Sequence, residues 1–441
     1  MDENRIQDAI QSFRGRRILV VGDIMLDCYT FGEVTRISPE APIPVVRKIS
    51  EKFALGGAGN VASNVASLGA KAMLCGVVGN DHNREILFDV LGKRGIAADA
   101  MFVHASKPTV VKHRIVSGDS HQLLRVDEED AENLVPAEED ALFALAAKAM
   151  DNADVVIFSD YAKGLFSEGL TRRMIGEAKR KQKKIFADIK PQNKEYFVGV
   201  DLLCPNAKEA AEMAGGGGDI EGIGPKLVAY FGADLVVTRG GEGMSVFRRG
   251  GKAHHIPGKK IKVFDVSGAG DTVIAVLALA VASGLDLETA AALANNAGAI
   301  VVQKPGTATL TAEELLSSLR SESTVEGIGI VPKVWGYEKW IENNDKYCSK
   351  LLSLNKGYQC SLHYHKIKDE TFLVTKGHVR FEKDGEVLHL REGGFVRIAP
   401  GVKHRFAGIE DSLIVEVSTY HDEADSYRIE ESRKMDAVHD A

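Results

Sequence analysis

A glycine turn that ends in a carboxylate is the first group of residues able to do chemistry: Gly268, Ala269, Gly270 and Asp271. Residues 262–264 (KVF) before it predict a strand, and the apolar residues 273–281 after it predict a buried helix. Glycines let a backbone approach a ligand closely, and the unpaired N–H groups at the start of a helix attract anions. The turn could therefore stabilise charge on a transferring phosphoryl group while Asp271 accepts a proton from the attacking hydroxyl. A helix cap is the structural alternative for Asp271.

Three histidines and a glutamate form a second set, with the spacing of metal ligands: His363, His365, Glu370 and His404. On a strand, the side chains of His363 and His365 point to the same face. Glu370 can come from the adjoining stretch, and His404 follows in the segment APGVKH. Imidazole-rich sets bind zinc, iron, manganese, nickel or cobalt, and the ligand types alone do not select among these metals. We expect one such divalent transition metal per chain.

The composition limits the classes of protein that can carry these two sets. The chain has 441 residues, of which 44% are hydrophobic and 27% charged, a balance typical of globular proteins, and its length favours two domains. A formal net charge of −7 argues against nucleic acid as a partner. Five cysteines are scattered without a CxxC pair, and the sequence shows neither a signal segment nor an apolar run long enough for a bilayer. These features predict a cytoplasmic protein that binds neither nucleic acid nor a membrane.

The elements around the glycine turn predict an α/β fold. Helix-length segments separate short apolar strands at residues 17–22, 155–160, 184–188, 202–205 and 235–238. Such βα repetition predicts a doubly wound, mostly parallel sheet. Asp23 and Asp27 follow the first strand, at the edge where open α/β sheets bind ligands, although either could be a turn carboxylate.

Two further segments predict a small β lid and a ligand-binding helix start. Three prolines within residues 39–44 exclude a helix and favour an extended flap. Residues 107–127 alternate between polar and apolar positions around an SGDS turn, which predicts an exposed hairpin. The segment GGAGN, which contains Gly57 and Asn60, opens a helix. Its glycines would bring backbone and amide groups close to a sugar, or would only allow tight helix packing.

The pattern changes after residues 321–333, a polar stretch that we predict to be a linker. Residues 334–441 contain short alternating strands broken by glycine turns, followed by a polar tail with room for one short helix. That pattern predicts an all-β barrel. The predicted domains are therefore residues 1–320 and 334–441.

The segment that ends in Asp271 resembles the second signature of the ribokinase-type (PfkB) carbohydrate kinases, Asp-Thr-x-Gly-Ala-Gly-Asp, with Val266 in place of the usual Thr. The GGAGN segment falls at the family's first signature, and the resemblance covers residues 18–319. No GxxxxGK[ST] loop occurs, which excludes an ordinary P-loop kinase. The resemblance implies a ribokinase-like fold with a β lid, and ATP and Mg²⁺ as its cofactors.

Within that family, the segments RISPEAPIPV, SDYAKG and DIMLD look closest to the D-glycero-β-D-manno-heptose 7-phosphate kinases, which form the 1,7-bisphosphate. One departure is the DIKP of residues 188–191, where those kinases usually have DPKG. No HxGH motif occurs for a nucleotidyltransferase, the fusion partner of many heptose enzymes. The resemblance implies phosphorylation of the anomeric hydroxyl of a sugar phosphate.

The same resemblance implies a role for each matching residue. Asp271 would be the base, and the amides of the glycine turn would form an anion hole. The nucleotide side would contain Asn206, Glu209, Thr238, Arg239, Gly240, Ser267 and Asn296, of which the first two form the Asn-x-x-Glu element that arranges Mg²⁺. The sugar would be held by Asp23, Asp27, Gly57 and Asn60. A phosphorylated substrate needs cations, and the candidates are Arg36, Arg125, Lys163 and Lys190, although each taken singly could be a surface charge.

The histidine set resembles the metal set of the cupin family, over about residues 334–419, with Ala399 in place of a usual Pro and Gly408 in place of a common Asn. The segment WGYE followed by the predicted barrel looks like the cupin part of bacterial phosphomannose isomerases. This resemblance implies that the barrel isomerises or only binds a related sugar phosphate.

Other interpretations stay open. The kinase could act on another sugar, such as fructose 1-phosphate or ribose, and the cupin could be a sensor or an oligomerisation module without turnover. A sugar-binding regulator with degenerate catalysis is a weaker alternative, because Asp271 is intact. We expect the chain to form a homodimer.

Overall fold

The computed structural model describes residues 3–117, 121–259, 261, 263–304, 306–322 and 330–435. The chain divides into two compact units, Met1–Arg320 and Ser321–Ala441. None of the helices in the described part of the chain combines the length and the apolar character that crossing a membrane requires.

The first unit contains thirteen strands among its described residues: β1 Arg17–Gly22, β2 Ile24–Ile37, β3 Pro44–Gly57, β4 Lys71–Gly79, β5 Ala97–His104, β6 Val111–Ser117, β7 His121–Glu128, β8 Val155–Ser159, β9 Lys184–Asp188, β10 Leu202–Leu203, β11 Asp234–Thr238, β12 Met244–Phe247 and β13 His254–Ile256. Its described helices are α1 Glu3–Ser12, α2 Ala58–Ser67, α3 His82–Lys93, α4 Pro136–Asp151, α5 Glu168–Arg180, α6 Ala207–Met213, α7 Ile220–Phe231, α8 Ala269–Ala282, α9 Leu287–Val301 and α10 Ala312–Glu322.

Nine of these strands form one sheet in the order β13-β12-β11-β10-β9-β8-β1-β4-β5. The pairings are parallel except those of β12 with β11 and with β13. Successive side chains of β1 enter different cores: Ile18 and Val20 pack on one face with α8 and α9, while Leu19 and Val21 pack on the other with α4 and α5. The doubly wound, mostly parallel sheet predicted from the sequence is confirmed.

The remaining four strands form a separate sheet in the order β3-β2-β6-β7. We call this sheet the lid. The prolines lie where the long β2–β3 hairpin turns, at residues 38–44, as expected for residues that cannot continue a helix or donate to a ladder. Strands β6 and β7 form the predicted hairpin, although its turn, residues 118–120, lies outside the described residues.

The strand predicted immediately before the glycine turn is wrong at the described residues Val263 and Phe264, which belong to no strand. The Phe264 N–H donates instead to Val302 O at 2.7 Å, just beyond the end of α9. The main-chain N–H of this segment is therefore hydrogen-bonded to the end of a helix and not to a neighbouring strand. Lys262 lies outside the described residues.

The second unit is built from strands: β14 Ile330–Lys333, β15 Gly336–Asn343, β16 Cys348–Leu354, β17 Tyr358–Gln359, β18 Leu362–Tyr364, β19 Glu370–Lys376, β20 His378–Lys383, β21 Glu386–Arg391, β22 Phe395–Ile398, β23 His404–Gly408, β24 Ser412–Ser418, β25 Tyr427–Glu430 and β26 Arg433–Lys434. One sheet has the order β14-β15-β16-β24-β19-β22, and the other has β21-β20-β23-β17-β26 with β18 joined to β23 and β25. An apolar core that includes Phe372, Phe381, Phe406 and Ile414 packs between them. The predicted all-β architecture is confirmed.

Both edges of the second unit differ from the sequence prediction. The predicted linker, residues 321–333, includes the end of α10 and all of β14, which pairs with β15. Residues 323–329 lie outside the described residues. The polar tail contains a short 3₁₀ helix at Glu423–Asp425 and also two strands, β25 and β26, that pair with the barrel. These two strands are not predicted from the sequence, because an exposed edge strand does not need the alternation of apolar and polar residues by which strands are recognised.

Candidate active site and metal centre

The glycine turn caps helix α8 at the carboxyl edge of the nine-stranded sheet. Gly268 has φ 77°, in the left-handed region that favours glycine. A Cβ atom on Gly268 would lie 2.5 Å from Asn60 Nδ2, so a side chain at this position would collide with the start of α2. Asp271 follows in the first turn of α8 and is buried. The turn thus brings two helix N-termini, α2 and α8, against each other.

The carboxylate of Asp271 is held by two hydrogen bonds. Asn60 Nδ2 donates to Oδ2 and Tyr161 Oη donates to Oδ1, each at 2.7 Å. Burial raises the pKa of Asp271 to about 6, although both hydrogen bonds and the positive charge of Lys190 oppose that rise. A carboxylate with this pKa is ionised at neutral pH and is still basic enough to accept a hydroxyl proton.

A second group of charged residues lies beside the turn. Lys190 Nζ forms an ion pair with Glu209 Oε1 at 2.6 Å and lies 5.3 Å from the Tyr161 ring centroid. Asp188 is adjacent, since a Cβ on Gly270 would lie 3.6 Å from Asp188 Oδ2. Burial and the nearby Glu209 carboxylate raise the pKa of Asp188 well above its usual range. A cation would relieve this repulsion between carboxylates.

Asn206 and Glu209 form a capping box at the start of α6. The Glu209 N–H donates to Asn206 Oδ1 at 2.9 Å, and the Asn206 N–H donates to Glu209 Oε2 at 3.1 Å. The other Glu209 oxygen contacts Lys190. With Asp188, these side chains offer the hard oxygen ligands that Mg²⁺ requires, and the clustered carboxylates fit such an ion.

The lid contributes an arginine that the sequence prediction missed. Arg114 Nη1 donates to Asp27 Oδ1 at 2.5 Å, and its guanidinium lies 5.1 Å from the Tyr29 ring centroid. The parallel register of β2 and β6 pairs Tyr29 with Arg114 and so places the arginine beside Asp27. A Cβ on Gly56 would lie 2.7 Å from Asp27 Oδ2, which keeps this position free of a side chain. Arg114 belongs to no sequence motif, because its contact with Asp27 depends on the register of two strands.

Asp23 is buried, and its contacts in the structure are with main chain. Asp23 Oδ2 accepts hydrogen bonds from the N–H groups of Tyr161 at 2.8 Å and Lys163 at 3.1 Å. Burial and the neighbouring Asp160 carboxylate raise the pKa of Asp23 to about 6. Ala162, between the two donors, has φ 55°. Asp23 therefore shapes the strained loop that carries Tyr161, while its predicted contact with a sugar stays a prediction.

Gly57 is the other predicted sugar-binding glycine, at the N-terminus of α2. It has φ 55°, and a Cβ here would lie 2.3 Å from Asp23 O. The position therefore requires glycine, because the main chain at Asp23, just after β1, closely approaches the start of α2.

Four cations are predicted to bind the substrate's phosphate. Of these, Lys190 lies close enough to Asp271 for its charge to oppose the rise that burial causes in the pKa of that carboxyl. Arg36 is exposed near the turn of the β2–β3 hairpin, where it pairs with Val45. Arg125 forms an ion pair with Asp127 at 2.8 Å, and Lys163 forms one with Glu129 at 2.6 Å. Arg125 lies opposite Arg114 in the β6–β7 ladder, and the joint binding of one phosphate by these four cations stays a prediction.

A cavity of about 370 Å³ adjoins the glycine turn on the side predicted for the nucleotide. Thr238, Gly240, Ala269 and Gly270 line it, so it reaches the anion-binding end of α8. Its wall is largely apolar, which suits a flat heterocyclic base.

Five of the seven residues predicted for the nucleotide do not line this cavity: Asn206 and Glu209 of the capping box, and Arg239, Ser267 and Asn296. Arg239 donates to Ser245 Oγ at 3.0 Å and to Glu242 Oε2 at 2.5 Å. Ser267 is exposed, and its N–H donates to Asp265 Oδ1 at 2.9 Å.

Asn296 is buried and hydrogen-bonded to Ser318 Oγ at 2.6 Å and to Lys259, while its neighbour Asn295 lines the cavity. Neighbouring residues of a helix point in directions about 100° apart, so only one of the two asparagines can face the cavity. The sequence alone does not show which one does.

The histidine set of the second unit converges. One nitrogen from each of His363, His365 and His404 lies within 4.8 Å of the others. The Nδ1 atoms face main-chain carbonyls of Ser361, Asp425 and Val402 at 2.8, 2.9 and 3.1 Å, respectively. These bonds fix the rings with Nδ1 protonated and leave each Nε2 as a ligand atom, the usual arrangement around a bound metal.

Glu370 completes the set. Its Oε2 lies 3.1 Å from His404 Nε2 and 3.6 Å from His365 Nε2. Glu370 Oε2 and His404 Nε2 are both buried and lack a well-directed hydrogen bond. A cation between two buried acceptor atoms that face each other would satisfy both of them. The residues present therefore fit a divalent transition metal.

The electrostatics favour the ligand form of these groups. Burial, together with the neighbouring His404, lowers the pKa of His363 to about 3, so the imidazole is neutral. Burial alone would raise the pKa of Glu370, but His404, Lys368 and His365 lower it below its usual range. Neutral imidazoles and an ionised carboxylate are the forms that bind a metal.

A buried charge network continues from Glu370 into the barrel. Lys368 Nζ donates to Glu370 Oε1 and to Glu416 Oε1, both at 2.6 Å. Lys350 Nζ lies 3.9 Å from Glu416 Oε1 and 3.9 Å from the Trp340 ring centroid. All five side chains line a cavity of about 570 Å³, together with His363 and His365. The sequence prediction missed this network, since lysine and glutamate on strands ordinarily mark the solvent side.

Comparison with known proteins is consistent with this geometry. Residues 16–314 match the pfkB family carbohydrate kinases, and residues 350–419 match the cupin domain. The chain is 44% identical over 323 residues to the bifunctional protein HldE of Caulobacter vibrioides and 41% identical over 307 residues to that of Azorhizobium caulinodans. These alignments cover 70% and 68% of this chain but 65% and 64% of the relatives, so the chain spans about two thirds or less of their length.

Solved structures show the same fold. Arabidopsis thaliana ribokinase complexed with ribose and ATP has a TM-score of 0.56 at 20% identity and covers 69% of this chain and 99% of its own. Phosphofructokinase-2 from Escherichia coli has a TM-score of 0.59 at 18% identity and covers 70% and 99%. The shared fold is that of the first unit. The chain thus belongs to the pfkB family of carbohydrate kinases, and it carries a cupin domain after the kinase.

Proposed function

We propose that the first unit transfers the γ-phosphoryl group of ATP to the anomeric hydroxyl of a sugar phosphate. The observation that carries this proposal is Asp271, a buried carboxylate with a pKa raised to about 6 in the first turn of α8. The anomeric oxygen forms a bond to the γ-phosphorus, the bond from that phosphorus to the β,γ-bridging oxygen breaks, and ADP leaves. Asp271 Oδ accepts the hydroxyl proton. The amides of the glycine turn stabilise the negative charge of the transferring group.

Mg²⁺ would be held by Asp188 and Glu209, with Asn206 fixing Glu209 through the capping box. Bound there, the ion supplies positive charge to the phosphates. Lys190, paired with Glu209, adds a further positive charge next to Tyr161 and Asp271. The largely apolar cavity beyond Gly270 accepts the adenine base.

The acceptor that we propose is D-glycero-β-D-manno-heptose 7-phosphate, with the 1,7-bisphosphate as product. Support comes from the segments RISPEAPIPV, SDYAKG and DIMLD and from the identity of about 40% with HldE proteins over the kinase region. Arg114 and Lys190 supply cations near Asp27 and Asp271 that a neutral sugar does not need.

The test is ATP consumption by the full chain against a panel of free and phosphorylated sugars. We expect heptose 7-phosphate to have the highest kcat/KM, with phosphorylation at the anomeric oxygen shown by ³¹P NMR. Equal or better turnover of fructose 1-phosphate or ribose would replace the heptose assignment by the alternative sugar. No ATP consumption with any sugar would contradict the kinase itself.

We propose further that the cupin holds one divalent transition metal through its three histidines and Glu370, and that it acts on a related sugar phosphate as an isomerase. The buried pair of Glu416 and Lys368 favours this second activity, because a carboxylate and an ammonium beside the metal set can move a proton between adjacent carbons. Aldose–ketose interconversion in deuterated water, followed by NMR, tests it. Solvent deuterium at the transferred position is expected. Binding of the sugar without exchange would instead support a sensor.

The homodimer and the cytoplasmic location stay proposals. Leu124 and Val126, both about half exposed on β7, give the lid an apolar surface that a second copy could cover. The five cysteines are all free and buried, as expected in a reducing compartment. Light scattering at several protein concentrations would test the dimer, and a monomer at every concentration would exclude it.

A further inference from the structure

A second group of metal-ligating side chains lies on the lid. Among the described residues, two sets of three such side chains have their ligand atoms within 4.8 Å of one another, and one of these sets is the cupin histidines. The other consists of Cys28 on β2, Glu51 on β3 and His113 on β6. We propose that this set is a binding site for zinc or a similar divalent transition metal.

Strand register produces the cluster. Cys28 pairs with His113 across the parallel β2–β6 ladder, and Thr30 pairs with Glu51 across the antiparallel β2–β3 ladder. Because side chains alternate along a strand, Cys28 and Thr30 point to the face opposite Asp27 and Tyr29. The cluster is therefore separate from the sugar side of the lid, where Asp27 contacts Arg114.

Thr30 holds two of the ligands toward one point. Its hydroxyl lies 2.8 Å from His113 Nε2 and 3.2 Å from Glu51 Oε1, and Cys28 Sγ lies 3.6 Å from that same oxygen. Ligand atoms around a tetrahedral zinc lie about 3.3–3.8 Å apart, as follows from bonds of about 2.0–2.3 Å. Adjustments of an ångström or so, within the reach of side-chain rotation, would thus bring all three atoms to one ion.

The ligand types select the class of metal. A thiolate, an imidazole and a carboxylate suit zinc and cobalt, whereas Mg²⁺ prefers an all-oxygen shell. Three protein ligands leave a fourth position for water. Burial and the Glu51 carboxylate raise the pKa of the Cys28 thiol to about 11, so metal binding must release the thiol proton to solvent.

One contact competes with the metal. Lys48 Nζ forms an ion pair with Glu51 Oε1 at 2.8 Å, but both side chains are partly exposed, and such surface pairs contribute little. Glu51 is accessible from solvent, so an ion can reach the site without opening the fold.

Cobalt titration of the full chain tests the proposal, because a thiolate ligand gives Co²⁺ a near-ultraviolet charge-transfer band that histidine and carboxylate ligands do not give. We expect this band in the full chain, its loss in Cys28→Ser, and its retention in the matched control Cys360→Ser, a change at a buried cysteine of the second unit. A full chain without the band, or a band unchanged by Cys28→Ser, would overturn the lid site.

Two further variants keep the test decisive if Cys28→Ser does not fold. Glu51→Gln preserves the size of an exposed side chain, and Lys48→Met removes only the competitor. Glu51→Gln should weaken cobalt binding at the thiolate band by at least about tenfold. Lys48→Met should leave binding equal or tighter. Unchanged affinity in Glu51→Gln would show that the carboxylate is not a ligand and would contradict the three-ligand site.

Discussion

The Tyr161 hydroxyl donates a hydrogen bond to Asp271 Oδ1 at 2.7 Å. This contact joins the loop after β8 to the first turn of α8, over 110 residues of sequence. Tyr161 is in turn placed by Asp23, which accepts a hydrogen bond from its N–H at 2.8 Å. The two carboxylates thus have different tasks: Asp23 holds the tyrosine, and the tyrosine stabilises the charged form of Asp271.

The first prediction concerns the pH dependence of the kinase. Burial raises the pKa of Asp271 to about 6, and only the ionised carboxylate can accept a proton. kcat/KM should therefore fall as the pH drops below about 6. The Tyr161 hydrogen bond lowers this pKa, so Tyr161→Phe should move the acid limb to higher pH by about one unit. Tyr230→Phe, a change at an exposed tyrosine, should leave the profile in place. An acid limb that moves to lower pH in Tyr161→Phe would contradict the assignment.

The second prediction is that Asp271→Asn lowers kcat at least about 10²-fold, the usual contribution of a general base, with little change in ATP affinity. Asn keeps the size and the polar contacts of the side chain but is not basic. Asp286→Asn is the matched control, since Asp286 caps the next helix, α9, by accepting from the Thr289 N–H. Steady-state kinetics on both variants decide the matter. A kcat near that of the wild type in Asp271→Asn would rule out Asp271 as the base.

The sequence predicts the parts of this site that depend on local order. A glycine turn followed by an apolar helix gives Asp271 and its anion-binding neighbours, and βα repetition gives the sheet edge where they lie. Asn60 is also found in this way, because it stands at a second helix start. Contacts set by strand register are not visible in the sequence, which is why Arg114 is missed and Arg36 is preferred.

The burial of charged side chains is the other feature that could not be predicted from the sequence. Glu416 occupies a strand whose alternation resembles that of solvent-facing positions, and Lys368 lies in the loop before β19, yet both are buried in the barrel and hydrogen-bonded to each other. Similarly, the fold buries Asp188 and brings it near the carboxylates of Glu209 and Asp271, which together raise its pKa, and this proximity is not visible in the sequence. The three histidines come together as predicted: alternation along an extended segment puts His363 and His365 on one face, and the β18–β23 pairing puts His404 opposite His363.

The third prediction separates substrate recognition from nucleotide recognition. Arg114→Lys keeps the charge beside Asp27 but removes the planar, two-pronged donor. We expect KM for the sugar phosphate to rise about tenfold while KM for ATP stays within about twofold. Arg36→Ala is the comparison, and its exposed position near the hairpin turn predicts a smaller effect. Equal increases of both KM values in Arg114→Lys would indicate a structural role for Arg114.

The fourth prediction concerns the metal of the cupin. Elemental analysis of the full chain purified without chelator should show a transition metal, and His363→Ala combined with His365→Ala should remove about one equivalent per chain. His378→Ala with His389→Ala is the control, since these two histidines lie 3.3 Å apart on β20 and β21, away from the set. If the first double variant retains all of its metal, or if the wild type cannot be loaded, the cupin site is wrong.

The last prediction is that a fragment of residues 1–320 folds and keeps kinase activity within about threefold of the full chain. Each unit has its own apolar core, and some 300 residues are enough to bury one. Asp271 and its partners Asn60 and Tyr161 all lie in the first unit, as does the cavity beside Gly270. Circular dichroism, size-exclusion chromatography and the kinase assay test the fragment. A fragment that folds but does not phosphorylate sugar would contradict this prediction and show that the kinase needs the cupin. If that fragment is also a monomer where the full chain is a dimer, the lost contact between subunits would be the reason.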